Sequence, residues 1–166
     1  KHLPREFETH IDGRLWDSQR VRIIDGCVLP SLPAKNHALT LMANAARIAD
    51  EVNGAELILG ASGFIGTHLV CELDSSGHEV IARCRSGLVA GFTGNCRAWE
   101  LGNSIEIPPD VPIDCAIHLA HDFGGVAGAK LTIEGTMRSV MELRRCGVVR
   151  QIFFSSYSAR PNAPSV

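Results

Sequence analysis

The sequence of 166 residues lacks several features that define whole classes of protein. No apolar run approaches the roughly 18–20 residues that a membrane-spanning helix needs. The net charge is −2 and no basic stripe is present, so nucleic-acid binding has no electrostatic footprint. The amino-terminal stretch "KHLPREFETH" has neither an initiator Met nor an apolar signal core. We expect a fragment or a processed product that resides in the cytoplasm.

Motifs of cysteine and histidine with metal-binding spacing are also scarce. None of the six cysteines forms a C-x-x-C pair and most lie in apolar stretches, which predicts buried thiols in a reducing cytosol. His118 and His121 form an H-x-x-H, but they lie in a predicted strand and at its end, where an i, i+3 pair points to opposite faces. We therefore predict no metal site.

The rhythm of the chain changes near residue 55. Before it, residues 20–33 predict a short strand and a Pro-containing loop, and residues 36–52 predict a helix with Asn36 as N-cap and Gly54 as stop. After it, short apolar strands alternate with helices, which is typical of a parallel sheet covered on both faces. The predicted strands are 56–60, 78–84, 96–101, 114–120 and 150–156, and the predicted helices are 63–77 and 129–147.

The stretch 60–66 is a G-x-x-G-x-x-G motif that follows a predicted strand and opens a predicted helix. Gly60 permits a tight turn, Gly63 lets the backbone approach a pyrophosphate, and Gly66 lets the helix pack against the strand. The N–H groups and the positive dipole at the helix start favour phosphates. The motif predicts a dinucleotide site, and the alternative is a tight strand–helix turn without a ligand.

The end of the second predicted strand of this unit bears on which dinucleotide binds. An acidic residue there accepts hydrogen bonds from the adenosine ribose, whereas an Arg pairs with a 2′-phosphate. The stretch "ARCRSG" contains Arg83 and Arg85 and no acid, which favours NADP over NAD. The alternative is that both arginines are solvated surface residues.

Residues 56–166 resemble the extended short-chain dehydrogenases/reductases, the NAD-dependent epimerase/dehydratase family. The resemblance rests on "GASGFIG", "CAIHLAH", "IEGTMRSVMELRRCGV" and "QIFFSSYSA", which occur in the family's order. It implies a Rossmann-like, doubly wound three-layer α/β/α domain with strand order 3-2-1-4-5, here truncated. The implied cofactor contacts are Gly60, Ser62, Gly63, Phe64, Ile65, Gly66, Arg83, Arg85, Leu119 and Ala120.

The family resemblance also implies hydride transfer on a nucleotide-sugar or a similar carbonyl or alcohol substrate, assisted by a Ser, a Tyr and a Lys. Ser156 matches the family's Ser, and the family's Tyr and Lys come as Y-x-x-x-K downstream of it. Tyr157 is too close to Ser156 to be that Tyr and is followed four places later by Pro161, so we interpret it as part of the strand-end loop. Thr132 stands where the family commonly has Asn. We expect this chain alone to bind dinucleotide weakly and to turn over little. The alternative is a non-catalytic dinucleotide sensor or interaction module.

Residues 11–53 resemble the carboxyl-terminal end of a glucose–methanol–choline (GMC) oxidoreductase, which implies a strand–loop–helix appendage. Asn36 or His37 falls at the second position of that family's catalytic pair, and helix capping is the alternative role for Asn36. FAD is expected only with an upstream domain, and a second alternative function is therefore that of a remnant of a fusion with an FAD-dependent GMC oxidoreductase. We therefore divide the chain into a segment 1–55 and a Rossmann domain 56–166, and expect exposed apolar faces to favour a homo-oligomer.

Overall fold

The computed structural model describes residues 21–23 and 54–154 of the chain. In these ranges it contains six strands and two helices. The strands are β1 (Val21–Ile23), β2 (Ala55–Leu59), β3 (Val80–Cys84), β4 (Asn95–Ala98), β5 (Ile113–His118) and β6 (Arg150–Phe153), and the helices are α1 (Phe64–Ser75) and α2 (Gly125–Arg145).

All six strands form one parallel sheet with the order β4-β3-β2-β5-β6-β1. Counted from β2, the first five strands have the order 3-2-1-4-5, so the predicted Rossmann-like topology is confirmed. The short strand expected before residue 55 is β1. It lies beside β6, with Val21 opposite Gln151 and Ile23 opposite Phe153.

Two apolar clusters hold the helices against opposite faces of the sheet. On one face, Ile58 packs with α1 residues such as Leu69 and Leu73. On the other face, Leu57 and Leu59 share a cluster with Leu143 of α2. These side chains are at most 1% exposed, and burying each one contributes about 1.5–3 kcal/mol. The described part of the chain therefore has the predicted three layers.

Glycines end both helices, as predicted. Gly77 follows α1 with a φ of +86°, and Gly147 follows α2 with a φ of +87°, a conformation that favours glycine. Helix α2 begins at Gly125, four residues before the predicted start at Ala129. Gly128 lies inside this helix although glycine has a low helix propensity. A Cβ at this position would overlap the Asp122 side chain, so the close packing that glycine permits outweighs that low propensity.

The outward side of α2 carries an apolar stripe. Val126, Ile133, Met137 and Met141 are 49–90% exposed and recur at helical spacing. This stripe is consistent with the expectation of self-association, which stays a prediction. Neither helix in the described ranges is long and apolar enough to cross a membrane.

The amino end of β2 buries a charged group. The Glu56 side chain is inaccessible to solvent, and its Oε1 lies 2.7 Å from Nδ1 of His78. Its Oε2 has no hydrogen-bond partner among the described residues. Burial raises the pKa of the Glu56 carboxyl, and the nearby His78 partly opposes that increase.

Candidate functional site

The glycine turn lies at the carboxyl end of β2, in contact with both neighbouring strands. Gly60 has a φ of +91°, and its N–H donates to the Arg83 carbonyl at 2.8 Å. Ala61 N–H donates to the same carbonyl at 3.1 Å. A Cβ on Gly60 would lie 2.5 Å from the Ala120 nitrogen. Gly60 is therefore required both by its conformation and by the close approach of the chain after β5.

The other two glycines of the motif meet different surroundings. A Cβ on Gly66 would lie 2.5 Å from the Gly60 oxygen, so α1 packs directly on the turn. A Cβ on Gly63 would meet only that oxygen, at 3.3 Å, and would otherwise project into open space. Gly63 is the N-cap of α1 and has no capping side chain, and it is exposed together with Ser62 and Phe64. The positive end of α1 thus faces a space that a Cβ would fill and an anion can occupy.

The site lies at β2, where the order in which the strands are added to the sheet changes side. The chain passes from β2 to β3 on one side, and β5 pairs with β2 on the other. Ligands of open α/β sheets bind at the carboxyl ends of strands at such a switch point. Leu119 and Ala120, both half-buried, directly follow β5 there. Leu119 N–H donates to the Leu59 carbonyl at 2.8 Å, which ties this segment to the start of the glycine turn.

The segment after β5 is also fastened to α2. The Thr132 hydroxyl accepts a hydrogen bond from the Asp122 N–H at 2.9 Å. Asp122 Oδ1 in turn accepts from Gly124 N–H at 2.7 Å. Thr132 therefore positions the segment that follows β5. The sequence, in which Thr132 replaces the family's more common Asn, did not indicate this role.

Arg83 and Arg85 have different environments. The Arg83 side chain is 1% exposed, and its guanidinium donates to the Glu106 carbonyl at 2.7 Å and to Asn95 Oδ1 at 3.3 Å. Burial lowers the pKa of Arg83, with a further contribution from Arg97. Arg83 is thus occupied by protein groups, whereas Arg85 is exposed just beyond the end of β3.

Arg85 also borders a cavity of about 370 Å³ at the carboxyl ends of β3 and β4. Trp99 Nε1 donates to the Asn103 carbonyl at 3.1 Å, which fixes the indole in the wall. The cavity is lined by Arg85, Ala98, Trp99, Glu100 and Asn103. The predicted strand 96–101 ends at Ala98 in the structure, so Trp99 lies in the cavity wall after β4 and not inside the strand, which the sequence did not indicate.

His118 is a packed side chain at the end of β5. Its Nε2 lies 2.8 Å from Oε1 of Gln151, and its ring stacks on Phe153 with 4.5 Å between centroids. Burial lowers the pKa of His118 to about 4, against the opposing effect of the Gln151 hydrogen bond, so the ring is neutral at pH 7. Among the described residues, no group of His, Cys, Asp and Glu is arranged to hold a metal ion.

The cysteines are less uniformly buried than their sequence context predicted. Cys84 is buried, Cys71 and Cys96 are half-buried, and Cys146 is exposed. The expectation of burial is wrong for Cys146, because it caps the carboxyl end of α2, in the turn that leads to β6. Cys27 is outside the described residues.

Several predicted site residues cannot be placed. Ser156 and Tyr157 follow the described residues 54–154, and Asn36 and His37 lie between the two described ranges, 21–23 and 54–154. The catalytic role of Ser156 and the flavoenzyme roles of Asn36 and His37 therefore stay predictions, as does the GMC resemblance of residues 11–53.

Comparisons with known proteins agree with the glycine turn and the sheet. A model of the NAD dependent epimerase/dehydratase family matches residues 56–165, about two thirds of the chain. The solved structure of a protein from Bacillus halodurans, whose name places it among the NAD-dependent epimerases/dehydratases, superposes on this chain with a TM-score of 0.50 at 24% sequence identity. The match covers 64% of this chain and 53% of that one, so this chain spans about half the length of the protein it matches. None of the curated proteins matches. Through residues 56–165, the chain belongs to the NAD-dependent epimerase/dehydratase family.

Proposed function

We propose that the chain is the NAD(P)-binding portion of an oxidoreductase that acts by hydride transfer on a nucleotide-sugar or a similar carbonyl or alcohol substrate. The observation that carries this proposal is the glycine turn at the switch point between β2 and β5. The turn leaves an uncapped helix start facing open space at Gly63, and family membership implies NAD(P).

The residues around the turn fit a dinucleotide. The exposed backbone of Ser62, Gly63 and Phe64, with Ile65 in the first turn of α1, would hold the pyrophosphate. Leu119 and Ala120 would contact the cofactor from the β5 side. The bound nicotinamide supplies hydride acceptance and donation. This chain's own contribution is to bind and orient the cofactor.

The proposed preference for NADP rests on Arg85. Its exposed side chain lies at the carboxyl end of β3, where a 2′-phosphate is recognised in this kind of site. Arg83 is less suited to bind a 2′-phosphate, because its guanidinium donates hydrogen bonds to Glu106 and Asn95. Glu100 borders the same cavity as Arg85, so the site has one charge of each sign.

Titration with NADPH and with NADH, followed by tryptophan fluorescence, tests the binding proposal. We expect saturable binding of both, with NADPH the tighter ligand. Incubation with NADPH and candidate carbonyl substrates, followed at 340 nm, tests turnover. We expect no sustained absorbance change, because the 166 residues contain no Y-x-x-x-K to supply the acid/base Tyr. Saturable binding by neither nucleotide would contradict the proposal.

A second candidate is a non-catalytic dinucleotide sensor or interaction module. The family's Y-x-x-x-K is absent from the 166 residues, because Tyr157 lies too close to Ser156 to be its Tyr and has Pro161 four places on; whether a Y-x-x-x-K follows Val166 discriminates between the two candidates. Binding without turnover in the natural full-length polypeptide would favour this role over an oxidoreductase. The GMC resemblance gives a separate prediction, since flavin absorbance in that polypeptide would indicate an FAD domain.

A further inference from the structure

Two thiols face each other at the edge of the sheet beneath the proposed dinucleotide site. Cys84 Sγ lies 3.9 Å from Cys96 Sγ. The register of β3 and β4 pairs Ala82 with Cys96 and Cys84 with Ala98. The two cysteines are therefore diagonal neighbours whose side chains lie on the same face of the sheet.

Cys84 also contacts the glycine turn and the loop after β3. Its thiol hydrogen-bonds to Ser62 of the turn, and its Sγ lies 3.5 Å from the Ser86 hydroxyl. Arg85, proposed above to recognise a 2′-phosphate, is the next residue in the chain. The Cys84 sulfur is therefore close to two parts of the proposed site, the glycine turn and the segment that carries Arg85.

The two thiols differ in acidity and in access to solvent. Burial acts to raise the pKa of Cys84, but hydrogen bonds from Ser86, Ser62 and Cys96 together outweigh it and lower that pKa. Burial, together with the neighbouring Cys84, raises the pKa of Cys96 to about 11. Cys84 is thus the readier thiolate, and the half-buried Cys96 gives the pair contact with solvent.

We propose that Cys84 and Cys96 form a reversible disulfide that weakens dinucleotide binding; the effect on binding rests on the function proposed above. With hydrogen peroxide as oxidant, one cysteine sulfur attacks the O–O bond, becomes a sulfenic acid and releases water. The other sulfur then attacks it, the S–S bond forms and a second water leaves. Two thiols are oxidised and one peroxide is reduced to two waters. A dithiol reductant reverses the reaction.

The position of the pair explains why the bond would alter the site. Adjacent strands lie about 4.8 Å apart and two residues along a parallel strand span about 6.6 Å, so these diagonal neighbours lie on the order of 8 Å apart at Cα, whereas a relaxed disulfide spans at most about 7 Å. Bond formation therefore requires one strand to move. Strand β4 is the movable partner, because it is a four-residue edge strand with mostly exposed residues. It leads into Ala98 and Trp99 of the cavity wall.

Peptide mapping after mild peroxide treatment tests the bond directly. Trypsin cuts after Arg83, Arg85 and Arg97, so the disulfide joins the dipeptide 84–85 to the peptide 86–97. We expect this linked peptide in the wild-type chain, its loss on reduction, and its absence in Cys96→Ser. Cys146→Ser, which removes an exposed thiol at the end of α2, is the matched control and should behave as the wild type.

The NADPH dissociation constant of the same samples tests the consequence. We expect oxidation to weaken binding at least fivefold in the wild type and in Cys146→Ser, and to leave Cys96→Ser unchanged. Absence of the linked peptide, or its formation without a change in affinity, would overturn the inference. If the reduced wild type binds no dinucleotide, the proposed function fails, and the peptide map still decides whether the disulfide forms.

Discussion

The two ends of strand β2 differ in how they accommodate charged or polar groups next to an apolar sheet. At its carboxyl end, Gly60, Gly63 and Gly66 leave side chains out, and backbone atoms approach one another at the start of α1. At its amino end, Glu56 places a carboxylate among apolar side chains and pairs it with His78. The first arrangement leaves an open space for a ligand, whereas the second fills its space with protein. The comparison suggests that binding resides at the carboxyl end, while the amino end determines how stability depends on pH.

The largest expected effect comes from crowding the carboxyl end. In Gly66→Ala, the new Cβ would lie 2.5 Å from the Gly60 oxygen and 2.7 Å from the Ala61 oxygen. Both are backbone atoms that cannot rotate away, so we expect the free energy of unfolding to fall by about 3 kcal/mol. Urea denaturation measures this change. Gly77→Ala is the control: it has a φ of +86° but no atom within 4 Å of its Cβ, and should cost only about 1 kcal/mol. Equal losses in the two variants would refute the crowding argument.

At the amino end, removing the partner of the buried carboxylate is the next largest change. His78→Gln leaves Glu56 buried with a weaker partner, and we expect a loss of about 2 kcal/mol at pH 7. The loss is smaller than for a fully buried pair because His78 is 16% exposed. In a Glu56→Gln background the same substitution should cost much less, and a double-mutant cycle measures the difference. Additive losses would show that the two residues are not coupled.

Glu56 also gives the amino end a defined pH dependence. Its pKa in the folded chain is raised above the ordinary value of 4.5, mainly by burial. Its contribution to stability is therefore fully present below pH 4.5 and is lost as the pH rises through the folded-state pKa. Since Glu56→Gln cannot ionise, its stability relative to the wild type should increase as the pH rises from 4 to 8. Denaturation curves across that range check the sign, and a constant difference would contradict it.

The sequence predicted the carboxyl end of the sheet better than the amino end. Gly60 has one conformation that only glycine adopts easily, so the local motif was sufficient to identify the turn. The buried pair depends on Glu56 and His78 meeting across strands, and an isolated Glu in an apolar strand does not indicate its partner. Arg83 illustrates the same limit, because its contact with the Glu106 carbonyl spans 23 positions of the chain.

A substitution at Gly63, the middle of the three glycines, tests ligand binding separately from stability. In Gly63→Ala, the added Cβ meets only the Gly60 oxygen at 3.3 Å, so the stability should change by less than about 1 kcal/mol. The Cβ would occupy the space proposed for the pyrophosphate, and we expect the NADPH dissociation constant to rise at least tenfold. Fluorescence titration and urea denaturation of one preparation measure both quantities. Unchanged affinity in this variant would remove Gly63 from the site.

The smallest expected effect concerns the choice between the two nucleotides. Arg85→Gln removes the exposed cation at the end of β3, so we expect NADPH affinity to fall about fivefold with little change for NADH. Arg97→Gln is the matched control, because it removes the same charge from β4, the strand beside β3, where Arg97 forms an exposed ion pair with Glu106. If both variants lower NADPH affinity equally, general charge and not a contact at Arg85 accounts for the preference.

The most direct test of the central claim follows the backbone amides of a labelled chain by NMR while NADP is added. The account predicts that the amides of Ser62, Gly63 and Ala120 at the carboxyl end shift as the site saturates. It also predicts that those of Glu56 and Gly77 at the amino end stay in place. Shifts confined to the amino end, or no shifts at saturating nucleotide, would contradict the assignment of binding to the glycine turn.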